Sequence, residues 1–352
     1  MRPATDNNEN TRVSLLGMDL GELTKVAISG GMPSFVGKQL AEWLYKKKVA
    51  EFSLMNNISK KNREWLQSNF EIGRYKPLEI LKSADGTEKY IYDAGNGRRI
   101  ESVLIPDKER ATLCVSSQAG CRMNCYFCAT GRNGYHGQLS ASQIINQILN
   151  VDGEKPFSDK EELTNVVFMG MGEPLDNFGE VKKVIEILTA PWGMAWSPKR
   201  ITVSTVGKLP QLKELLDETK VHVAVSLHTP DSRLRGQMMP AQKAFPITSV
   251  IKMLKAYDFS HQRRLSFEYI MWKGVNDDIE HAKMLVNLIQ GLDCRVNLIR
   301  YHSIPGVELK PASEERMIMF RNFLNSNGII STIRASRGED IMAACGMLAG
   351  KC

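Results

Sequence analysis

Residues 111–131 read ATLCVSSQAGCRMNCYFCATG. The opening ATLCVSS alternates small, β-branched and apolar residues and ends in a polar turn, the signature of a short strand. The loop that follows carries Cys121, Cys125 and Cys128 in C-x3-C-x2-C spacing, with Phe127 before the last cysteine. A strand that delivers three thiols to its own C-terminal loop is expected where strand ends build a site.

Downstream the same pattern of strand then helix recurs. Strand-like runs are NVVFMGM (165–171), RITVSTVG (200–207), VHVAVSLHT (221–229), RLSFEYIMW (264–272) and CRVNLIRYH (294–302). Helical periodicity fills the gaps, for example over 180–189 and 278–290. Six such repeats predict an α/β fold with a parallel sheet whose Val- and Ile-rich strands are buried on both faces. The sheet is either an open doubly wound one or a partial (β/α)6 TIM-like barrel; chemistry sits at the strand C-termini in both. A last strand, IISTIRAS (329–336), leads to the tail RGEDIMAACGMLAGKC.

Upstream, PLEILKS, TEKYIYDA and RRIESVLIP are separated by turns at Asp85-Gly86 and Gly95-Asn96-Gly97, which predicts short antiparallel strands over 75–106 acting as a linker. Residues 1–74 read as a small helical domain. Phe35, Leu40, Trp43 and Leu44 fall at helical spacing within 34–49, ahead of Lys46, Lys47 and Lys48; a second amphipathic stretch over 60–70 carries Lys60, Lys61 and Arg63. These cations form either a solvated helix face or a phosphate-binding one. The expected organisation is 1–74 helical accessory domain, 75–106 β linker, 107–335 core and 336–352 tail.

Composition narrows the class. The chain has 352 residues, 43% hydrophobic and 24% charged, with a formal charge of +7. That excludes a disordered chain and suits, without requiring, a polyanionic partner. No apolar run is long enough for a membrane span, and the polar start MRPATDNNENTRVSLLG lacks a signal-peptide core, so a cytoplasmic protein is expected. Seven cysteines in such a chain point to metal or redox chemistry, not a disulfide framework.

Iron–sulfur clusters are usually held by four thiolates. Three local ones leave one iron open to a further ligand, as an open zinc position does. A closed structural zinc site needs a fourth ligand, for which only His136 is near. After the second strand, GMGEPLDN (170–177) supplies glycines that let backbone approach a ligand, and Glu173, which can accept from an ammonium. Ser204, then Ser226, Leu227 and His228, then His302 end the third, fourth and sixth strands on the same rim, where they could hold a ribose or a base. Cys345 sits in an Ala- and Gly-rich tail suited to a tight loop.

The C-x3-C-x2-C loop resembles the radical S-adenosylmethionine (SAM) superfamily, and GMGEP resembles its cofactor motif, here Gly172 and Glu173. The ordered set ESVLIP, ATLCVSSQAGCRMNCYFCATG, FMGMGEPLDN, VSTVG, VSLHTP, GVND and RGEDIMAACGMLAG is similar to the radical SAM RNA adenine methyltransferases, the RlmN-like group, over about residues 80–350. The resemblance implies a [4Fe–4S] cluster on Cys121, Cys125 and Cys128, two SAM molecules per turnover, and cofactor contacts from Gly172, Glu173, Ser204, Ser226, Leu227, His228 and His302. It implies that Cys345 accepts a methyl group and that a deoxyadenosyl radical then activates that methyl for addition to adenine. It further implies that Glu101 removes the ring proton and that Cys114 releases product as a disulfide forms. The family commonly has Asn where this chain has His302. Pro174 resembles the C2 type, with 23S ribosomal RNA and transfer RNA as substrates, flavodoxin or ferredoxin as electron donor, and a monomeric enzyme. The alternatives are a C8-adenine methyltransferase conferring antibiotic resistance, a radical enzyme acting on a small molecule or protein, and an iron–sulfur electron carrier. Cys294 and Cys352 match no motif.

Overall fold

The structure is a computed structural model and describes residues 12–107, 110–152, 163–261 and 263–349; Cys352 lies outside them. The chain divides into two compact units: one contains the residues up to Tyr75 together with 140–149 and 183–196, the other the remainder.

In the first unit, β1 (Val13–Ser14) pairs in parallel with β2 (Phe70–Glu71), flanking α1 (Leu20–Ser29), α2 (Val36–Ala41) and α3 (Lys60–Asn69). α1 starts on a capping box, in which Asp19 accepts from the Glu22 amide and the Glu22 carboxylate accepts from the Asp19 amide. α2 continues as one π-helical turn over Glu42–Lys46, which buries Trp43, Leu44 and Tyr45. The expected stripe is corrected at its start: Phe35 is 60% exposed, because the helix enters from solvent at that residue. Lys47 pairs with Glu42 at 3.3 Å and lies 3.7 Å over the Trp43 ring, while Lys46 and Lys61 are exposed.

The second unit holds the main sheet. Three antiparallel strands, β3 (Glu79–Lys82), β4 (Glu88–Asp93) and β5 (Arg99–Asp107), lead into β6 (Arg110–Cys114). A short hairpin of β7 (Gln118–Gly120) and β8 (Tyr135–Gln138) brackets the cysteine loop and the one-turn α4 (Ala129–Arg132). Then come α5 (Ala141–Asp152), β9 (Asn165–Phe168), α6 (Phe178–Thr189), β10 (Ile201–Thr205), α7 (Leu209–Glu218), β11 (His222–Ser226), α8 (Ser232–Met238) and α9 (Ile247–Leu254). The repeat closes with β12 (Leu265–Met271), α10 (Ile279–Ile289), β13 (Arg295–Arg300), α11 (Glu314–Ser326) and β14 (Ile330–Arg334).

Among the described residues the sheet runs β14-β13-β12-β11-β10-β9-β6-β5-β4-β3, and the seven strands from β6 to β14 are parallel and consecutive. Consecutive order decides between the two expected architectures. A doubly wound sheet reverses its order at a switch point. Right-handed crossovers that never reverse put every helix on one face, and the sheet curls into a partial barrel.

Burial along the strands corrects the expectation of two apolar faces. β10 reads buried, half-buried, buried, half-buried, buried, and β9 alternates likewise. Val166, Val203 and Phe267 are fully buried away from the interior, while Thr112, Asn165, Thr202, Ser266 and Asn297 line a cavity of about 480 Å³. The physical reason is the open barrel: its interior encloses space and polar groups instead of a packed core.

Candidate active site

At the C-terminal ends of these strands a second cavity, of about 160 Å³, is lined by Cys121, Cys125 and Cys128, by Gly172 and Glu173, by Ser204, Ser226 and His228, and by Cys345. The two cavities share Met169, Glu268 and Arg334 in their walls.

The cysteine loop is held on several sides. Cys121 N–H donates to the Gly134 carbonyl at 2.8 Å, closing the β7–β8 hairpin, and Tyr126 N–H donates to the Met238 carbonyl at 2.9 Å. Phe127 inserts beneath the loop, 5.0 Å from the Trp272 ring and 4.9 Å from His228. Burial pushes the Cys121 thiol up to about 12 and raises Cys125 and Cys128 as well, with the neighbouring thiols adding to the effect. Three largely desolvated thiols lining one cavity stay neutral unless a cationic centre there stabilises their thiolates.

Gly172 adopts φ +101°, and a Cβ there would lie 2.6 Å from the Gln118 side chain, so only glycine brings this turn against the cavity wall. The Glu173 carboxylate accepts from Val206 N–H at 2.9 Å and Leu175 N–H at 3.2 Å. Burial raises its pKa to about 7 against these hydrogen bonds. Glu268, also in the wall, accepts from Ser266 and Asn297 through Oε1, while its buried Oε2 has no hydrogen-bond partner among the described residues. An acidic, thiol-rich, glycine-lined cavity with an unused carboxylate oxygen fits a cluster and a cationic amino-acid-like cofactor.

The tail packs on this site. Ala129 N–H donates to the Gly346 carbonyl, Thr130 Oγ1 to Leu348 and Asn133 Nδ2 to Ala349. Cys345 is exposed and also lines an adjoining pocket with Cys114 and Cys128. Cys114 is buried, and burial raises its thiol to about 12.

Leu227, His302 and Glu101 sit outside the triplet's cavity. Leu227 is buried outside the cavity; its carbonyl accepts from Arg235 Nε. His302 lines a small pocket with Cys345, its Nδ1 3.4 Å from Glu339. Glu101 is buried beside Lys89, at 3.7 Å, and Lys89 also reaches the Met342 carbonyl in the tail. His228 accepts from Ile270 N–H at 3.1 Å, and burial lowers its pKa to about 3, so its ring is neutral. Sequence reasoning missed Arg235, Glu268 and Arg334. Arg334 ends β14 as the other candidates end their strands, so the strand-end rule applied once more would have found it.

A thiol triplet at the rim of a partial parallel barrel, facing a glycine-and-glutamate turn, defines a radical SAM enzyme. Residues 115–286 match the Radical SAM superfamily, and residues 13–72 match the Ribosomal RNA large subunit methyltransferase N-terminal domain. A crystal structure titled as a radical SAM methyltransferase from Sphaerobacter thermophilus superposes with a TM-score of 0.90 at 35% identity, covering 96% of this chain and all of that one. Proteins named "Probable dual-specificity RNA methyltransferase RlmN" are 56% identical in Parabacteroides distasonis, over 95% of this chain and 96% of that protein, and 55% identical in Bacteroides thetaiotaomicron, over 96% of each. The chain belongs to this RlmN family of radical SAM RNA methyltransferases. Such enzymes work with an iron–sulfur cluster and SAM. No helix among the described residues is long and apolar enough to cross a membrane.

Proposed function

We propose that the chain methylates C2 of an adenine in 23S ribosomal RNA, and of an adenine beside the anticodon in transfer RNA, through a methylated Cys345. The observation that carries this reading is the shared lining: Cys345 borders the cavity of the cysteine triplet and the pocket that holds Cys114. A methyl carrier has to meet the radical source on one side and a resolving thiol on the other.

In this reading Cys121, Cys125 and Cys128 ligate the cluster, and Glu173 and Glu268 are the anionic groups available to the cofactor's ammonium. When bound, the cluster, reduced by a donor such as flavodoxin or ferredoxin, supplies the electron that turns SAM into a radical source. Cys345 would lose its proton and take the methyl of one SAM on sulfur, with S-adenosylhomocysteine as the leaving group; Arg334 lines the same cavity. The methyl would then give one hydrogen atom to the radical derived from a second SAM, its carbon would bond to adenine C2, and the odd electron would return to the cluster as the ring proton leaves. Glu101 would take the ring proton, reached when Lys89 and the tail shift, since its carboxylate pairs with Lys89, which also binds the Met342 carbonyl, and does not line the cavity. Cys114 finally attacks the Cys345 sulfur; the S–C bond breaks toward product and a disulfide forms, to be reduced before the next turnover. Exposed Lys46 and Lys61 in the N-terminal unit suit phosphate contacts. A loop adenine is cheapest to unstack into such a site.

The test is anaerobic turnover on 23S RNA fragments and transfer RNA, with nucleosides identified by mass spectrometry. Wild type should yield 2-methyladenosine and Cys345→Ala none, while Cys114→Ala should accumulate a covalent protein–RNA adduct. 8-Methyladenosine as the product, or methylation intact in Cys345→Ala, overturns the reading.

A further inference from the structure

Arg235, on α8, is wholly buried, and each hydrogen bond its guanidinium donates ends on a neutral oxygen. Nε reaches the Leu227 carbonyl at 3.2 Å, one terminal nitrogen reaches the Val206 and Ser226 carbonyls at 2.9 Å each, and the other reaches Gln242 Oε1 at 2.6 Å. Buried charges are ordinarily paired, because carbonyl dipoles solvate a cation without neutralising it. Among the described residues the acidic group that acts on this one is the Cys125 thiol. Burial lowers the guanidinium's pKa to about 10, which leaves it charged at neutral pH.

The same helix is locked to the cysteine loop. Its Met238 carbonyl takes the Tyr126 N–H, and Cys125 packs with Val206, Met238 and Met239 in one apolar cluster. The fold therefore holds an uncompensated positive charge in a dry environment beside one thiol of the triplet.

We infer that Arg235 is the counter-charge of the anionic cluster held by Cys121, Cys125 and Cys128, and that it raises the cluster's reduction potential. The inference rests on the proposed ligand set. A cluster bound by three thiolates is anionic and becomes more so when it takes an electron from a one-electron donor. A fixed cation nearby favours the reduced form, and net charge and burial are what set such potentials. Arg235 touches neither substrate nor reacting atoms; it is a positioning residue that acts through its field.

The experiment is a redox titration of the reconstituted full-length chain without SAM, with dithionite and mediators, followed by electron paramagnetic resonance. Iron and sulfide are counted first. A wild-type chain that assembles no cluster overturns the ligand set, a failure separate from a wrong potential. Gln242→Glu keeps the acceptor for Arg235 and for the Ile247 N–H, which Gln242 also binds at 3.1 Å, and places a carboxylate on the guanidinium. Its midpoint should move to more negative values at undiminished cluster content; a wild-type midpoint overturns the inference. Arg235→Lys and Arg235→Met form a second arm. Both lose most of the hydrogen bonds but only Met loses the charge, so the Met midpoint should lie negative of the Lys midpoint. Equal midpoints in that pair overturn the inference even if Gln242→Glu fails to fold.

Discussion

Glu173 shows what a single residue contributes at this site. Its candidacy was legible from GMGEPLDN only because that turn ends the strand after the one carrying the cysteine triplet; alone, a glycine-rich turn is often just a helix entry. Its electrostatic state was not legible, since the pKa of about 7 comes from burial that only the fold imposes. The sign follows directly. A carboxyl held above its ordinary value keeps a proton in the folded chain, so its contribution to stability is complete below the ordinary carboxyl range and is lost as pH rises through about 7. Wild type should therefore lose stability relative to Glu173→Gln as pH rises from 5 to 8 in urea titrations. SAM binding runs the other way, because an ammonium needs the ionised form. Affinity measured by calorimetry should rise from pH 6 to pH 8 in wild type and stay flat in Glu173→Gln. That variant should also bind about thirtyfold or more weakly, on the order of 2 kcal/mol for breaking a buried charge pair. Flat binding in wild type would show that Glu173 does not face the ammonium.

At the level of elements, the strand–helix alternation and the antiparallel lead-in could be read from periodicity, and the seven parallel strands lie where their apolar runs predict, whereas the β7–β8 hairpin around the cysteine loop was not foreseen. What the runs concealed is that alternate residues face a hollow interior. Thr, Ser and Asn within Val-rich strands are easily taken for tolerated exceptions, whereas the curled sheet gives them a face of their own. The tail has the opposite character: it contains little regular structure and is held by side chains of other elements. Asp340 accepts from Ser83 Oγ at 2.6 Å and from Ala84 N–H at 3.2 Å, in the turn between β3 and β4. Asp85 accepts from Gly338 N–H at 2.9 Å. Burial works against the Asp85 carboxylate, but hydrogen bonds from Thr87, Gly338 and Ser83 outweigh it and bring the pKa down to about 2. A depressed carboxyl stabilises docking above its ordinary range and loses that effect as pH falls toward 2. Asp340→Ala should speed amide exchange over residues 337–347 while leaving the strands of the sheet protected. Unchanged exchange in the tail would mean that Asp340 does not anchor it.

For the whole molecule, the layer beneath the cysteine loop decides whether the site survives. Trp272 is fully buried and meets Phe127, His228 and Tyr301 at ring distances of 5.0, 6.2 and 6.4 Å. Trp272→Ala should cost about 3–5 kcal/mol, as large-to-small changes in packed cores do. It should lower the urea midpoint and reduce iron incorporation together; a normal midpoint would mean that the loop does not depend on this packing. Sequence alone determined the class of this protein, because the spacing of Cys121, Cys125 and Cys128, the turn at Gly172 and the repeating strands are local patterns. Only the tertiary structure decided that 140–149 and 183–196 belong with the N-terminal unit, that Cys345 meets the triplet across more than two hundred residues, and that Arg235 stands charged beside Cys125. Those are properties of burial and long-range contact, and neither burial nor contact is written in the spacing of neighbouring residues.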